Sequence, residues 1–217
     1  MLRAANGFDM PAEPQLWTLA RKLQALAQTG LTYTTGSYDR DRYQAVSEIA
    51  AELLGLQSGT PVETFRQLFA QQDGYATPKV DVRAAVFRED KVLLVREAAD
   101  GLWTMPGGWA DVNDSPREAV EREAFEESGF TVKAVKLAAV FDRAKHPHEP
   151  PFPFHIYKLF FLCEILGGSP KTSAETLAVD FFPPDALPPL STTRILPSQI
   201  LRLFEHATNP GLPTEFD

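Results

Sequence analysis

Residues 106–130, PGGWADVNDSPREAVEREAFEESGF, constrain the fold of this chain more than any other stretch. Ser115-Pro116-Arg117-Glu118 is a capping box with proline at the first helical position, which starts a helix. Gly129 tolerates the left-handed conformation in which helices end. These signals predict a helix over 116–128. At about 100° per residue, Glu123, Glu126 and Glu127 share one arc, with Glu123 and Glu127 one above the other at i,i+4. Val120 and Ala124 lie beside that arc and can be buried against a sheet. Arg122, four residues before Glu126, can neutralise one carboxylate or orient another.

A glutamate-rich helix face is commonly no more than a solvated surface. Three features oppose that reading here. The acids flank the apolar face instead of opposing it. Like charges at i,i+4 cost roughly a few tenths of a kcal/mol. The glycine-rich PGGWAD leads directly into the helix. A hard divalent cation takes oxygen ligands, which carboxylates and a backbone carbonyl supply. Gly107 and Gly108 let the backbone come close to such an ion.

The chain divides near residue 75, into 1–75 and 76–217. The first part reads as helices. Leu16, Leu19, Leu23 and Leu26 recur at three- and four-residue steps up to Gly30, read as the stop. Tyr43, Val46, Ile49 and Leu53 repeat the pattern, with Ser37 or Asp39 as the start. A third, short helix fits 61–71, with Thr60 as cap and Pro61 at the first helical position. So small a bundle has little core of its own. Beyond Thr77 the texture changes to strands: KVDVRAAVF, VLLVRE, TVKAVKLAAVFD, HIYKLFFLCEIL and TLAVDFF, with a last helix in SQILRLFEHAT. Strands interleaved with helices predict an α/β sandwich with a mixed sheet, preceded by a small helical domain.

The net charge of −8 argues against a broad nucleic-acid footprint and fits a small-molecule enzyme or a protein that concentrates cations. Cys163 is the sole cysteine, so no internal disulfide forms. No apolar run reaches membrane-spanning length, and MLRAANGFDMPAEPQ is too polar for a secretory leader. A cytoplasmic protein without DNA or membrane partners is expected.

Residues 108–130 resemble the Nudix box: glycine, five residues, glutamate, seven residues, then Arg-Glu-aliphatic-x-Glu-Glu-x-Gly-hydrophobic. Seven of the nine specified positions match. Asp114 stands for the glutamate and Ala124 for a larger aliphatic residue. The shorter Asp114 puts at issue the brace it would give Arg122. The resemblance implies a Nudix α/β/α sandwich and hydrolysis of a nucleoside diphosphate linked to another moiety. It implies Mg²⁺, with Mn²⁺ as a substitute, held by Glu123 and Glu127 and completed by Glu126 and a carbonyl of Gly107 or Gly108. Arg122 holds the glutamates in place. Glu126, Glu127 and, outside the box, Glu175 are the candidates for general base. Asp111 is a candidate outer metal ligand.

The resemblance extends to a bacterial subgroup with a helical domain ahead of the Nudix domain, through LWTLARKLQALAQTGLTYTTGSYDRDRYQAVSEIAAELL, LLVREAADGLWTMPGGWADV and HIYKLFFLCEILGG. The subgroup includes proteins similar to bacterial CDP-choline pyrophosphatase. It therefore implies cleavage of CDP-choline to CMP and phosphocholine, with ADP-ribose as the main competitor and a catalytically inactive Nudix-fold ligand-binding regulator as the alternative of another class. A short RNA end is a weaker possibility, because the chain has no basic stripe.

Outside the box, several residues are candidates to read the substrate. Arg83 can contact phosphate or base, or pair with Asp81. Arg96, at the end of its strand, and Lys145 and His146, in a loop, can reach phosphate. Trp109, beside two glycines, can stack on a base, and with Phe152 and Phe154 it can face a quaternary ammonium. Trp103 is expected in the core, and His148 and His155 in structural roles. Phe125, facing away from the acids, is expected at the helical domain or a second subunit, and a homodimer is expected.

Overall fold

The computed structural model describes residues 14–217, so the reading of the first thirteen residues lies outside the described ones. The chain forms two compact units. One holds the described residues up to Thr77 together with Ala144–Pro147 and Pro151–His155; the other holds Pro78–Arg143, His148–Pro150 and Ile156–Asp217.

The first unit contains α1 (Gln15–Tyr33), α2 (Ser37–Ser58) and α3 (Val62–Ala70). Its core is Trp17, Ala20, Ala50, Ala51, Leu54, Phe65 and Phe69. Trp17 meets Phe65 edge-on at 6.1 Å. The buried face of α1 is thus Trp17-Ala20-Gln24-Ala27, and the expected stripe is turned outward: Leu16, Leu19 and Leu26 are exposed. Small residues on the inner face let α1 and α2 approach closely; Leu16, Leu19 and Leu26 are left for the other side, while Leu23 packs against the core. Gly30 does not end α1, which runs three residues further. A Cβ there would enter the ring of Tyr43, so the glycine serves helix contact, not termination. Pro61 precedes α3 in an extended conformation (ψ 130°), so the helix starts one residue later than expected, without a side-chain cap from Thr60. The two pieces of the proline-rich loop join this unit. Phe154 packs on Phe69 at 6.2 Å, and Arg21 Nη1 donates to Phe152 O at 3.2 Å.

The second unit has β1 (Lys79–Arg88), β2 (Lys91–Glu97), β3 (Trp103–Thr104), α4 (Pro116–Ser128), β4 (Phe130–Asp142), β5 (Ile156–Gly168), β6 (Thr176–Phe182), α5 (Pro197–Thr208) and β7 (Glu215–Phe216). The strands run in the order β3-β2-β1-β5-β4-β7, with β6 on β2. The β1–β5 pair is parallel and β4–β5 antiparallel, so the sheet is mixed. Ala119, Val120 and Ala124 of α4 cover one face with Val82, Ala84, Val86, Leu93 and Phe161. Ile200 and Leu203 of α5 cover the other with Ala85, Leu94, Met105 and Phe160, and Trp103 joins this second core as expected. This is the expected α/β/α sandwich. The two-residue strands β3 and β7 were not anticipated; segments that short carry no periodic signal.

One detail of the sheet positions the site. β1 and β2 pair only at their hairpin end, Phe87 with Val92 and Arg88 with Lys91, and then part. The backbone ahead of α4 fills the gap. Ala84 N donates to Pro106 O at 2.8 Å, Val82 N to Gly108 O at 2.8 Å, and Ala110 N to Val80 O at 3.0 Å. The glycine loop is therefore laid along β1 like a strand.

Candidate active site

The helix α4 has the predicted bounds and the predicted ends. Ser115 and Glu118 exchange the capping-box hydrogen bonds, and Gly129 closes the helix at φ 77°. Val120 and Ala124 are fully buried, which rotates the acidic arc toward the glycine loop. There Gly107 N donates to Glu127 Oε2 at 2.9 Å. Gly107 has φ 139°, and a Cβ on it would enter the Val82 carbonyl, so only glycine fits between β1 and the glutamate. A Cβ on Gly108 would lie 2.8 Å from Glu123 Oε2, so Glu123 rests on the bare backbone. Gly108 O is taken by Val82 N, whereas the carbonyl of Gly107 accepts no such bond from β1.

Arg122 stands among four carboxylates. Asp111 is 3.2 Å away, Asp114 3.1 Å, Glu123 2.8 Å and Glu126 3.0 Å. The contact to Asp111 is an ion pair without hydrogen-bond geometry, and the other three are hydrogen bonds. Asp114, despite its shorter side chain, therefore braces the arginine. Burial opposes the charge on Arg122, and the carboxylates raise its pKa regardless. Arg122 Nη1 lies between Glu123 and Glu126. As the side chains stand, no three acidic, histidine or cysteine groups among the described residues converge closely enough to hold an ion. One guanidinium does not balance this many acids, so the cluster retains a surplus of negative charge on a glycine cradle. That is the chemistry a divalent cation fits.

Burial pushes the Glu127 carboxyl up to about 7, against the pull of Arg83 and the Gly107 N–H. Burial also raises Glu123, and Arg122 opposes it. Glu127 is further fixed through its backbone, because Thr176 Oγ1 donates to Glu127 O at 2.9 Å.

Glu97 was not singled out from the sequence. It is buried at the end of β2, pairs with Thr176 in register and has Arg194 Nε at 3.4 Å. Burial raises its pKa, and its charge in turn raises that of Glu127. Its signal was strand alternation: Leu93, Val95 and Glu97 share one face, and Arg96, placed on the other, is exposed. Glu175, next to Thr176, is exposed, and its carbonyl accepts from Ala98 N.

Of the expected substrate contacts, Arg83 takes the other course foreseen for it and pairs with Asp81, at 2.7 Å and 4% exposure. Trp109 is half exposed and bridges Asp81 through the backbone. Lys145 and His146 fold with the helical unit, as do Phe152 and Phe154, which are engaged with Arg21 and Phe69. His148 is structural as expected, with Nδ1 2.8 Å from Thr192 O. Phe125 is exposed.

Residues 77–204 match the model of the NUDIX domain, and residues 14–69 match that of a UDP-X-like N-terminal oligomerisation domain. A Bacillus subtilis protein provisionally named ADP-ribose pyrophosphatase YjhB is 44% identical over 198 residues, 91% of this chain and 95% of its own. A crystal structure described as an ADP-ribose pyrophosphatase from Streptococcus suis is 42% identical, with a TM-score of 0.60, over 65% of this chain and 100% of its own. A crystal structure described as a UDP-X diphosphatase is 31% identical, with a TM-score of 0.61, over 94% of this chain and 98% of its own.

Proposed function

The chain belongs to the Nudix hydrolase family, and from that premise we propose that it is a Mg²⁺-dependent pyrophosphohydrolase of a nucleoside diphosphate linked to a sugar, with ADP-ribose as the leading substrate. The observation that carries this reading is the carboxylate cluster around Arg122, pressed against Gly107 and Gly108 with a surplus of negative charge. Glu123, Glu126, Glu127 and the Gly107 carbonyl would hold the cation, with Asp111 at the margin. Mn²⁺ is a substitute. When bound, such a cation neutralises phosphate charge and acidifies a water.

The chain's own residues do the rest. Arg122 orients Glu123 and Glu126. The Gly107 N–H orients Glu127. Glu126 and Glu127 are proposed as the carboxylates that take a proton from water, with Glu175 the candidate outside the helix. Trp109, on the glycine loop beside Asp81, is a proposed substrate contact.

The names of these relatives favour a nucleoside diphosphate derivative, ADP-ribose foremost. Two carry ADP-ribose pyrophosphatase in their names, and a third is a UDP-X diphosphatase. CDP-choline is the second reading. Two of the three aromatic side chains proposed to face its ammonium are engaged in the helical unit: the Phe152 ring meets Phe154 edge-on at 6.1 Å, and Phe154 packs on Phe69.

A panel assay at fixed Mg²⁺ with ADP-ribose, a UDP-sugar, CDP-choline, NADH and a short 5′-capped RNA tests both, with products identified by mass. ADP-ribose is expected to give the highest kcat/KM, yielding AMP and ribose 5-phosphate. CDP-choline turned over more than about tenfold more efficiently would reverse the order of the two readings. No Mg²⁺-dependent turnover of any diphosphate would remove the hydrolase and leave the ligand-binding regulator.

A further inference from the structure

Beneath the glycine loop lies a buried network of three charged side chains that the reaction chemistry does not use. Asp81 and Lys158 are register partners on the parallel strands β1 and β5, and Lys158 Nζ lies 2.6 Å from Asp81 Oδ1. Asp81 takes Arg83 with both oxygens, Nε at 3.0 Å and Nη2 at 2.7 Å. The remaining arm of the fork, Arg83 Nη1, donates to the carbonyl of Met105 at 3.1 Å. Asp81, Arg83 and Lys158 are 5%, 4% and 2% exposed.

Burying three charges costs about as much in desolvation as their pairing returns, so stability alone does not account for them. Their geometry does. Met105 opens the segment Met105-Pro106-Gly107-Gly108. The β1 backbone takes the carbonyls of Pro106 and Gly108, and Arg83 takes that of Met105. Three successive anchors then fix the backbone whose Gly107 N–H holds Glu127. A planar guanidinium, clamped on one side by a carboxylate, sets direction as well as distance, which an ammonium does not.

We propose that Arg83, held by Asp81 and Lys158, is a positioning residue that sets the height of the glycine loop under Glu127, and that it does not contact substrate. The proposal rests on the metal-dependent hydrolase reading of the site.

Arg83→Lys is the test. It keeps a cation on Asp81 and beside Glu127 but gives up the arm to Met105. Expected are a melting temperature within a few degrees of wild type, kcat lower by roughly tenfold or more, KM within about twofold, and Mn²⁺ affinity by electron paramagnetic resonance weaker by about threefold or more. The all-apolar triple replacement Asp81→Leu, Arg83→Met, Lys158→Met removes the charges of the network together and is expected to fold with the same loss of kcat.

A rise in KM with unchanged Mn²⁺ affinity in Arg83→Lys would make Arg83 a substrate contact and overturn the proposal. Full kcat in either variant would reduce the network to a structural one. Wild-type protein that neither binds Mn²⁺ nor turns over a diphosphate would instead bring down the hydrolase reading, and the proposal with it.

Discussion

Gly107 donates its backbone N–H to Glu127 Oε2 at 2.9 Å, from a φ of 139° that places the loop against the Val82 carbonyl. A glutamate at the far end of a helix is thereby tied to a backbone strand, and the two glycines of the loop become unequal. In Gly107→Ala the new Cβ meets rigid β1 backbone at an unfavourable φ, so a loss of roughly 2 kcal/mol or more is expected, with activity abolished. In Gly108→Ala the Cβ meets the movable end of Glu123, so a loss under about 1 kcal/mol is expected, with weaker metal binding. Urea unfolding and Mn²⁺ titration of the two variants measure this order; equal destabilisation would contradict it.

The pH dependence of the metal-free protein follows from Glu127. Its carboxyl sits at about 7 in the folded state against 4.5 unfolded, chiefly through burial. Between those values the folded state binds more protons than the unfolded, so stability falls as pH rises. The full span is about 3 kcal/mol, at roughly 1.4 kcal/mol per unit. Glu123 is raised too and acts in the same sense. In EDTA, the urea midpoint is expected to drop between pH 5 and pH 8, and Glu127→Gln is expected to flatten that slope. Parallel slopes in the two proteins would show that Glu127 is not the titrating group.

Turnover is expected to depend on a divalent cation. Excess EDTA is expected to abolish it, and Mg²⁺ to restore it. Glu123→Gln and Glu127→Gln each remove one charge from a proposed metal ligand at constant size and are expected to lower kcat by about 100-fold or more. Glu126→Gln and Glu175→Gln separate the candidate bases: a loss of only a few-fold in Glu175→Gln, beside a far larger one in Glu126→Gln, places the base on α4. Unchanged rates in both Glu123→Gln and Glu127→Gln would sink the site assignment.

The outer face of α1 predicts self-association. Leu16, Leu19 and Leu26 are exposed on a segment matched by an oligomerisation domain. Light scattering at micromolar concentration is expected to give twice the chain mass of 24.1 kDa. Leu19→Glu with Leu26→Glu is expected to return it to a monomer with its circular dichroism intact. A wild-type monomer would leave the leucines unexplained.

What the sequence by itself determined was local. The capping box at Ser115 and Glu118, the glycine stop at Gly129 and the spacing of Arg122, Glu123, Glu126 and Glu127 act over at most a few residues, so α4 and its acidic arc were legible from the chain. The five longer strands were legible too, because alternation is a property of each segment alone. Tertiary structure decided whatever depends on which surfaces meet. The leucines of α1 and its small-residue face have the same period, and only the packed bundle shows that Trp17 and Ala20 go in and Leu19 stays out. Gly30 reads as a stop until the ring of Tyr43 is seen against it. The clamp of Lys158, Asp81 and Arg83 joins residues 77 positions apart through a parallel strand pair, which no local pattern encodes. Glu97 and Arg96 are adjacent acid and base in the sequence; the pleat of β2, set by its partners, buries one near Glu127 and leaves the other in solvent.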